Sequence, residues 1–371
     1  MNAVTTSPDV IVIGAGLIGC AVAHAVSRQG ADVLLLDASA PGSGASQASA
    51  GMLCPHIEGS HDPVLQQLGA DSLDRYDNFI QRVRSDSGMD VPYVRNGTLQ
   101  VATTEDAAAA LAALAESLHA QGVSCQLAEG EADVGELEPL LRAQRVGLLI
   151  ESHGAVRTRD LVEALLHASL HEGARCLQSE RVERVARVDR HLVVETHAHT
   201  FHAAYVVVTS GAWSMHLQVE RHPVIPTHPV RGQLLRLQMV NRGLRRVLWG
   251  PDIYMVPWAD EVLVGATVEN AGFDPRATVG GVRQLCAAAE ALVPSLSNAT
   301  FTEVRVGLRP GSPDGLPLIG PSHCMPGLVY ATGHFRHGAL LAPLTADLVA
   351  DIIRTPSAVV PPALSASRFD L

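Results

Sequence analysis

Three glycines near the amino terminus have the spacing of a dinucleotide-binding turn. Gly14, Gly16 and Gly19 form a G-x-G-x-x-G motif between an apolar run at 10–13 and a helical pattern that begins at Leu17. The first glycine of such a motif permits a tight turn, the second lets the backbone approach a pyrophosphate, and the third lets helix and strand pack closely. Amide groups at the helix N-terminus then hold the phosphates. The residues predicted to contact the dinucleotide here are Gly14, Ala15, Gly16, Leu17, Ile18 and Gly19.

An acidic residue follows this motif at the distance expected for ribose recognition. Asp37 ends the second apolar run, 31–37, and lies 37 − 14 = 23 residues after Gly14. A carboxylate at this position binds the ribose hydroxyls of adenosine and disfavours a 2′-phosphate, so NADP is not expected. The motif and the acid together are compatible with both NAD and FAD.

A segment of small residues after Asp37 favours FAD. Residues 41–52 read P-G-S-G-A-S-Q-A-S-A-G-M. A flavin bound in extended form must pass close to the backbone, and large side chains would block it, whereas a nicotinamide enzyme has no evident use for such a loop here. The predicted cofactor contacts in this segment are Ser43, Ser46, Ala50, Gly51 and Met52.

The elements that position these residues alternate along the chain. Buried-strand patterns at 10–13, 31–37, 205–209 and 328–331 indicate a parallel sheet, and alternating patterns between 181 and 308 indicate antiparallel strands. Helical patterns occur at 17–28, 105–120, 161–170, 279–292 and 338–353. The predicted fold is α/β: a discontinuous Rossmann-type FAD-binding domain (1–85, 150–217 and 305–371), with a mostly antiparallel β-sheet substrate domain inserted in two pieces (86–149 and 218–304).

Length and charge limit the class of protein. The chain has 371 residues, enough for two domains, and its net charge of −11 argues against nucleic-acid partners and against an anionic membrane surface. All 27 basic residues are arginines, which excludes lysine Schiff-base chemistry and a P-loop lysine.

Cysteine spacing and hydropathy indicate a cytoplasmic protein. None of the 6 cysteines forms a C-x-x-C pair, so neither a zinc site nor a redox pair is indicated, and reduced thiols are expected. Residues 1–9 lack signal-peptide features, and glycines interrupt the apolar stretch at 10–26, so no membrane span is expected. Histidines 197, 199 and 202 are predicted to lie on a solvated hairpin turn without carboxylate or thiolate partners, and no metal site is predicted.

Six ordered segments resemble the D-amino-acid oxidase and glycine oxidase family of FAD-dependent amine oxidases over nearly the whole chain. They are GAGLIG at 14–19, GASQASAGM at 44–52, VVVTSGAWS at 206–214, PVRGQ at 229–233, VGLRPGSPDGLPLIG at 306–320 and GHFRHGALLAP at 333–343. The pattern is most similar to glycine oxidases of thiamine biosynthesis. The resemblance implies noncovalent FAD, a small amino acid (glycine, sarcosine or a small D-amino acid) and oxygen as reactants, hydrogen peroxide as a product, and a homo-oligomer.

The same resemblance assigns site residues. Arg309 matches the family's carboxylate-binding arginine, a role for which a bidentate guanidinium is suited, and Tyr254 matches a tyrosine that assists it. Arg336 is predicted to contact substrate or flavin, with a cap or an inter-subunit ion pair as the alternative, and Met52 and Val268 match the wall of the small substrate pocket. Further cofactor contacts are predicted at Val182, Gly211, Trp213, Gly333, His334, Arg336 and Gly338. No residue is expected to act as a general acid or base, because the cofactor carries the reaction.

Two departures from the family pattern concern the substrate. His337 stands where related glycine oxidases commonly have asparagine, and Val268 stands in place of an expected methionine; both are expected to affect substrate size. Monomeric sarcosine oxidase is a less suitable match, because the chain has no lysine near the ring and no cysteine between 309 and 320 for covalent attachment. A quinone-linked D-amino-acid dehydrogenase and a flavin-binding scaffold without turnover remain open alternatives.

Overall fold

The structure is a computed structural model that describes residues 7–58, 62–239, 243–355 and 358–371. The sequence prediction for 1–9 therefore falls largely outside the described residues. The strands are β1 Val10–Ile13, β2 Val33–Leu36, β3 Met52–Leu53, β4 Tyr93–Val94, β5 Thr98–Ala102, β6 Cys125–Glu129, β7 Val146–Ile150, β8 Gly154–Val156, β9 Arg175–Leu177, β10 Val182–Val188, β11 His191–Thr196, β12 Thr200–Ala203, β13 Tyr205–Val208, β14 Gln218–Val219, β15 His228–Gln238, β16 Val247–Trp249, β17 Tyr254–Trp258, β18 Glu261–Gly265, β19 Thr300–Gly311, β20 Leu318–Pro321 and β21 Leu328–Thr332. The helices are α1 Leu17–Ser27, α2 Pro55–Glu58, α3 Pro63–Ser87, α4 Glu105–Ala120, α5 Glu131–Leu137, α6 Thr158–His171, α7 Val279–Leu292 and α8 Gly338–Arg354, and 3₁₀ turns occur at Ala45–Ala48, Gly211–His216, Pro294–Asn298 and Ala366–Phe369.

A six-stranded sheet in the order β20-β21-β13-β1-β2-β9 forms the Rossmann-type part of the fold. Its strands are parallel except for β20, which pairs antiparallel with β21. Val10 and Val12 face a core shared with α1, α3, α6 and α8, whereas Ile11 and Ile13 face a second core shared with β10 and β11. Because successive side chains of a strand point to opposite faces, a run of four apolar residues is what this central strand requires. The predicted α/β fold with a Rossmann-type sheet is confirmed.

An eight-stranded sheet in the order β19-β15-β18-β17-β16-β5-β7-β6 forms the second layer of the molecule. Adjacent strands of this sheet are antiparallel except for β16 and β5, which pair in parallel. The strands come from 98–150 and 228–311, in keeping with a sheet assembled from two pieces of chain. The exact domain division stays a prediction, and β19 runs continuously across the predicted boundary at 304/305.

The 25-residue helix α3 is an element that the sequence analysis did not predict. Its Ncap Asp62 accepts hydrogen bonds from the backbone N–H groups of residues 64 and 65, Pro63 follows at the first helical position, and Gly88 ends the helix at φ +68°. These are standard start and stop signals. The Tyr76 hydroxyl donates a hydrogen bond of 2.5 Å to the carbonyl of Ala339, so α3 fixes the first turn of α8.

Two findings bear on the predicted surroundings of the protein. Among the described residues, no helix is both long and apolar enough to cross a bilayer. All six cysteines are free thiols: Cys20 and Cys54 are buried, and Cys324 is exposed.

Candidate functional site

A large cleft of about 1070 Å³ lies at the carboxyl ends of β1, β2 and β13 and extends to the eight-stranded sheet. Ile13, Leu36 and Thr209 line it from the parallel sheet, and Tyr254 and Arg309 line it from β17 and β19. In open α/β sheets, ligands bind at this edge. The volume exceeds the range of roughly 300–1,000 Å³ that is typical of pockets for drug-sized ligands, so the cleft has room for a dinucleotide.

The glycine turn has three different local environments. Gly14 has φ +105°, and a Cβ on Gly19 would lie 1.8 Å from the carbonyl oxygen of Gly14. A Cβ on Gly16 would meet only the Ser46 hydroxyl, at 3.4 Å. Gly14 therefore serves the turn and Gly19 the packing of α1, while Gly16 leaves a free approach to the backbone, as a pyrophosphate requires.

Asp37 is anchored so that its carboxylate faces the cleft. Its Oδ2 accepts a hydrogen bond of 2.7 Å from the backbone N–H of Ala15, and its Oδ1 accepts one of 2.8 Å from that of Ser39. Burial raises the pKa of this carboxyl, and the two backbone N–H groups oppose that rise. Each oxygen retains acceptor capacity for a ribose hydroxyl.

Most of the predicted cofactor residues line this one cleft. They are Gly14, Gly16, Leu17, Ile18, Asp37, Ser43, Ser46, Ala50, Gly51, Met52, Val182, Gly211, Trp213, His334, Arg336 and Gly338. Ala15, Gly19 and Gly333 do not line it; Ala15 acts through its hydrogen bond to Asp37.

The small-residue segment packs closely enough to need glycine. Gly51 has φ +73°, and a Cβ there would lie 1.8 Å from the carbonyl oxygen of Val156. The Ser46 hydroxyl accepts a hydrogen bond of 2.9 Å from the backbone N–H of Leu17, which ties this segment to the first turn of α1. The arrangement fits an extended flavin dinucleotide along 43–52.

Arg309 and Tyr254 lie together at the substrate end of the cleft. Arg309 belongs to β19, opposite Val230 of β15. Its Nη1 donates a hydrogen bond of 3.1 Å to the carbonyl of Thr267. Burial raises the pKa of Tyr254, and the charge of Arg309 beside it acts in the opposite direction. A guanidinium and a phenol side by side form a good carboxylate clamp.

The turn before α8 supplies positive potential without a charged imidazole. Burial lowers the pKa of His334 to about 3 and that of His337 to about 4, so both rings are neutral at pH 7. Arg336 is exposed, its guanidinium lies 4.9 Å from the ring of Phe335, and it makes no ion pair with any described residue. The potential at this end of the cleft therefore comes from Arg336 and the N-terminus of α8.

The two residues expected to affect substrate size have different positions. Val268 lines the cleft and is 57% exposed. Met52, the other residue predicted to form the pocket wall, also lines the cleft, from β3. His337 does not line the cleft and is buried at the start of α8. His337 therefore does not line the ligand space directly, and its effect on substrate size stays a prediction.

Glu58, at the end of α2, is a cleft residue that the sequence analysis missed. Burial raises the pKa of its carboxyl to about 7, although the charges of Arg336 and Arg309 act to lower it. Trp249 was also missed; it lines the cleft with its ring centroid 5.8 Å from that of Tyr254. The only signal for Glu58 was an acid shortly after the small-residue segment.

The prediction that histidines 197, 199 and 202 lie on a turn without carboxylate partners is wrong in two respects, because local sequence does not show that Glu180 packs against this hairpin. Nδ1 of His199 lies 2.7 Å from Oε1 of Glu180, and His202 belongs to strand β12 rather than to the turn. Among the residues that the structure describes, no group of three or more potential ligands is placed to hold a metal ion.

The fold and the cleft define a flavin-dependent oxidoreductase. Residues 9–352 match the family model described as FAD dependent oxidoreductase (DAO), and the chain belongs to this family. FAD is accordingly its cofactor, and the chain is an FAD-dependent amino-acid oxidase in class.

Curated relatives are similar along most of this chain. Glycine oxidase of Geobacillus kaustophilus is 33% identical over 350 residues, which cover 93% of this chain and 92% of that protein. The bifunctional protein ThiO/ThiG of Nostoc sp. is 32% identical over 93% of this chain, which spans only 52% of that longer protein. The crystal structure of the Geobacillus glycine oxidase has a TM-score of 0.92 at 31% identity and covers 98% of this chain and 99% of that one. An iminodiacetate oxidase from Chelativorans sp. has a TM-score of 0.85 at 26% identity, with 96% and 98% covered.

Proposed function

We propose that the protein oxidises glycine and other small amino acids, including sarcosine and small D-amino acids, to the imine, which water hydrolyses to the 2-oxo acid and ammonia, or methylamine in the case of sarcosine. The single observation that carries this proposal is the pairing of Arg309 with Tyr254 in a cleft that fits FAD. The chemistry that FAD supplies is hydride acceptance at N5 from the substrate's α-carbon, with oxygen then reduced to hydrogen peroxide.

The residues of the chain bind and orient the substrate. Arg309, with Thr267 holding one side of its guanidinium, grips the substrate carboxylate, and the Tyr254 hydroxyl donates to the same group. Val268 and Trp249 limit the space beyond the α-carbon. Fixing the carboxylate at one point restricts the α-carbon to a small region of the cleft, which is the positioning that the reaction needs.

Glu58 lies where it can receive the proton of the substrate ammonium, since its carboxyl has a pKa of about 7 and lines the same cleft. A group with a pKa near the working pH exchanges protons readily in both directions. This role revises the expectation that no residue takes part in acid–base chemistry, and it is a proposal on the same footing as the substrate assignment.

The experiment that tests the function is aerobic peroxide release by the purified yellow protein with glycine, sarcosine, D-alanine and D-proline in parallel. Peroxide with at least one of them supports the oxidase. No peroxide with any of them, together with reduction of a quinone analogue, would favour the quinone-linked dehydrogenase. Arg309→Ala is expected to abolish turnover while the flavin spectrum persists; loss of the flavin would show that Arg309 serves the cofactor instead.

Three features accompany this proposal as expectations. FAD is held without a covalent bond, because 309–320 contains no cysteine. The protein functions in the cytoplasm, in keeping with its six free thiols, and it assembles as a homo-oligomer. Mass measurement of denatured protein checks the first of these, because covalent FAD would add its mass to the chain.

A further inference from the structure

A second cavity, of about 280 Å³, lies between the N-terminus of α6 and the outer part of the eight-stranded sheet. It holds the volume of about nine waters at roughly 30 Å³ each. Four of the residues that line it are arginines: Arg157, Arg159, Arg236 and Arg305. This concentration is unusual for a chain whose net charge is −11. We refer to it below as the arginine cavity.

The carboxylates that pair with these arginines are set back from the cavity surface. Glu261 contacts Arg157 at 2.6 Å and also contacts Arg236, and Glu303 contacts Arg159 at 3.1 Å and Arg305 at 3.0 Å. Neither glutamate lines the cavity. These two glutamates offset only two of the four arginine charges, and the other two are offset by Asp160 and Glu163 of α6. The cavity wall therefore presents more guanidinium groups than carboxylates.

The two acids on α6 that line the cavity are only weakly paired. Asp160 and Glu163 both line the cavity, but the Asp160 carboxylate reaches Arg157 only at 3.8 Å, and Glu163 makes no ion pair with any described residue. Both side chains are more exposed than Glu261. They screen the mouth of the cavity less effectively than a directly paired carboxylate would.

Several N–H donors at the floor of the cavity have no protein acceptor. Arg305 is only 9% exposed, and its one hydrogen bond within the described chain is from Nε to Glu303, so both Nη groups are unpartnered. Nε of Arg236 is buried without a partner. The N-cap residue of α6, Arg157, offers no side-chain acceptor to the first N–H groups of this 14-residue helix. The Nη groups of Arg305 are not fully buried, and an oxyanion in the cavity that Arg305 lines would give them and the first N–H groups of α6 an acceptor.

From these observations we infer that the arginine cavity binds a dianionic oxyanion of the phosphate class, either free phosphate or the phosphate of a small monoester. Guanidinium forks match the geometry of phosphate oxygens, and the adjacent helix N-terminus favours the same charge. The site is distinct from the predicted pyrophosphate site at Gly16, which lies in the larger cleft.

The arginine cavity is connected to the wall of the cofactor cleft. Ser49 and Thr158 line both cavities, and the Thr158 hydroxyl donates a hydrogen bond of 3.2 Å to that of Ser49. Nε of Arg159 donates to the carbonyl of Gln47 at 3.2 Å. A bound oxyanion that orders Arg159 and Thr158 would thereby stabilise the segment along which FAD is proposed to lie.

The test is isothermal titration of the FAD-loaded protein with inorganic phosphate at constant ionic strength and pH 7.5. Saturable binding of one phosphate per chain is expected. Arg157→Gln should weaken it at least tenfold, and Glu261→Gln should tighten it, because this substitution removes a negative charge and keeps the shape. Arg145→Gln is the matched control, since Arg145 is exposed on the loop before β7 and does not line the arginine cavity.

Opposite outcomes overturn the proposal. One is the absence of saturable heat with phosphate, and another is an equal affinity in the wild type and in both cavity variants. The third is tighter binding of succinate than of phosphate, which would assign the site to dicarboxylates. If light scattering shows that phosphate binds only to the dissociated chain, the surface around the arginine cavity would instead be an interface between copies of the chain. A phosphomonoester, glycerol 3-phosphate, distinguishes the two phosphate sources: binding tighter than that of phosphate assigns the site to an ester. Should Arg157→Gln fail to fold, the direction of the Glu261→Gln effect still decides the matter.

Discussion

The guanidinium of Arg309 lies against the backbone of Gly232, so closely that a Cβ on residue 232 would be 2.4 Å from Nη1. The two residues lie on neighbouring strands, β19 and β15, and are diagonal to each other, since Gly232 pairs with Gly307 and Arg309 with Val230. Gly232→Ala is therefore expected to displace the guanidinium and to weaken carboxylate binding about tenfold or more, equivalent to about 1.4 kcal/mol. Titration of the flavin absorption spectrum with glycolate measures this.

The control for that substitution is Gly135→Ala. Gly135 lies in α5, and a Cβ there would have no atom within 4 Å. This variant should bind glycolate as the wild type does. Unchanged binding in Gly232→Ala would show that Arg309 does not hold the carboxylate from its position in this structure.

Arg231 holds the segment that supports Arg309. It is buried, and its guanidinium contacts Glu269 at 2.5 Å and Asp274 at 3.1 Å. Glu269 in turn accepts from the Thr267 hydroxyl at 2.5 Å, and the carbonyl of Thr267 accepts from Arg309. Arg231→Met should lower the free energy of unfolding by about 1–3 kcal/mol, since charged partners lose their donors, and should also weaken glycolate binding.

Arg276→Met is the matched comparison, because Arg276 also pairs with Asp274 but is 84% exposed. An exposed ion pair is screened by solvent and contributes little to stability, so this variant should unfold at nearly the wild-type denaturant concentration. Equal losses in the two variants would contradict the supporting role of Arg231.

Glu58 predicts a pH dependence that differs between two kinds of ligand. Its carboxyl has a pKa of about 7 near Arg309 and Arg336, so it is mostly protonated at pH 6 and mostly ionised at pH 8. Ionisation adds a negative charge beside the carboxylate clamp. The affinity for acetate should therefore fall as pH rises from 6 to 8, whereas the affinity for glycine should fall less, because its ammonium group is attracted to the ionised Glu58.

Glu58→Gln should remove the difference between the two ligands over that range, which spectroscopic titration with acetate and steady-state KM values for glycine at several pH values can measure. A wild-type acetate affinity that is constant from pH 6 to 8 would show that Glu58 does not titrate in the cleft. This experiment concerns Glu58 alone and leaves the Arg309 assignment to the glycolate titrations above.

His337 predicts a pH dependence of stability. Burial lowers its pKa from 6.5 to about 4, so below pH 6.5 the unfolded chain binds a proton that the folded protein excludes until about pH 4. Stability from this group is thus complete above pH 6.5 and falls as the pH drops toward 4. His337→Asn, which places a residue favoured at N-caps where the His337 side chain makes no capping hydrogen bond, should lessen the loss between pH 6.5 and 5 by about 2 kcal/mol.

Denaturant unfolding at pH 5, 6 and 7 measures that slope, with His191→Asn as the control because His191 is exposed. The control should have the wild-type slope. A slope in His337→Asn as steep as that of the wild type would show that His337 is protonated in the folded protein.

The sequence could predict those parts of the fold that depend on local patterns. Runs such as 10–13 and 205–208 become central strands because they are apolar on both faces, and Gly14 marks the turn by its need for a positive φ. Helix α3 was equally predictable from Asp62-Pro63 and Gly88, but its low mean hydropathy concealed its buried stripe. Its apolar contacts are spaced among charged residues, which weakens the periodic signal.

The missed parts of the site depend on distant packing. Glu58 is close to Arg309 and Arg336 only because α2, β19 and α8 meet around one cleft, and no local pattern marks such a meeting. The arginine cavity likewise joins residues of α6 to residues of β15 and β19. Resemblance to a family supplied Arg309, which lies within a matching motif, and Tyr254, which lies between two of them.

The glycine turn provides a final prediction, in which two similar substitutions should fail in different ways. A Cβ at residue 19 would lie 1.8 Å from the backbone oxygen of Gly14, a clash that only movement of α1 could relieve. Gly19→Ala should therefore destabilise the protein even without FAD. A Cβ at residue 16 would lie 3.4 Å from the Ser46 hydroxyl, which the protein tolerates, but it would occupy the space that the pyrophosphate needs. Gly16→Ala should thus keep the unfolding midpoint of the FAD-free protein while weakening FAD binding at least tenfold.

Fluorescence titration with FAD and denaturant unfolding of the FAD-free protein separate the two effects. If Gly16→Ala bound FAD as tightly as the wild type, the phosphates would have to lie elsewhere in the cleft.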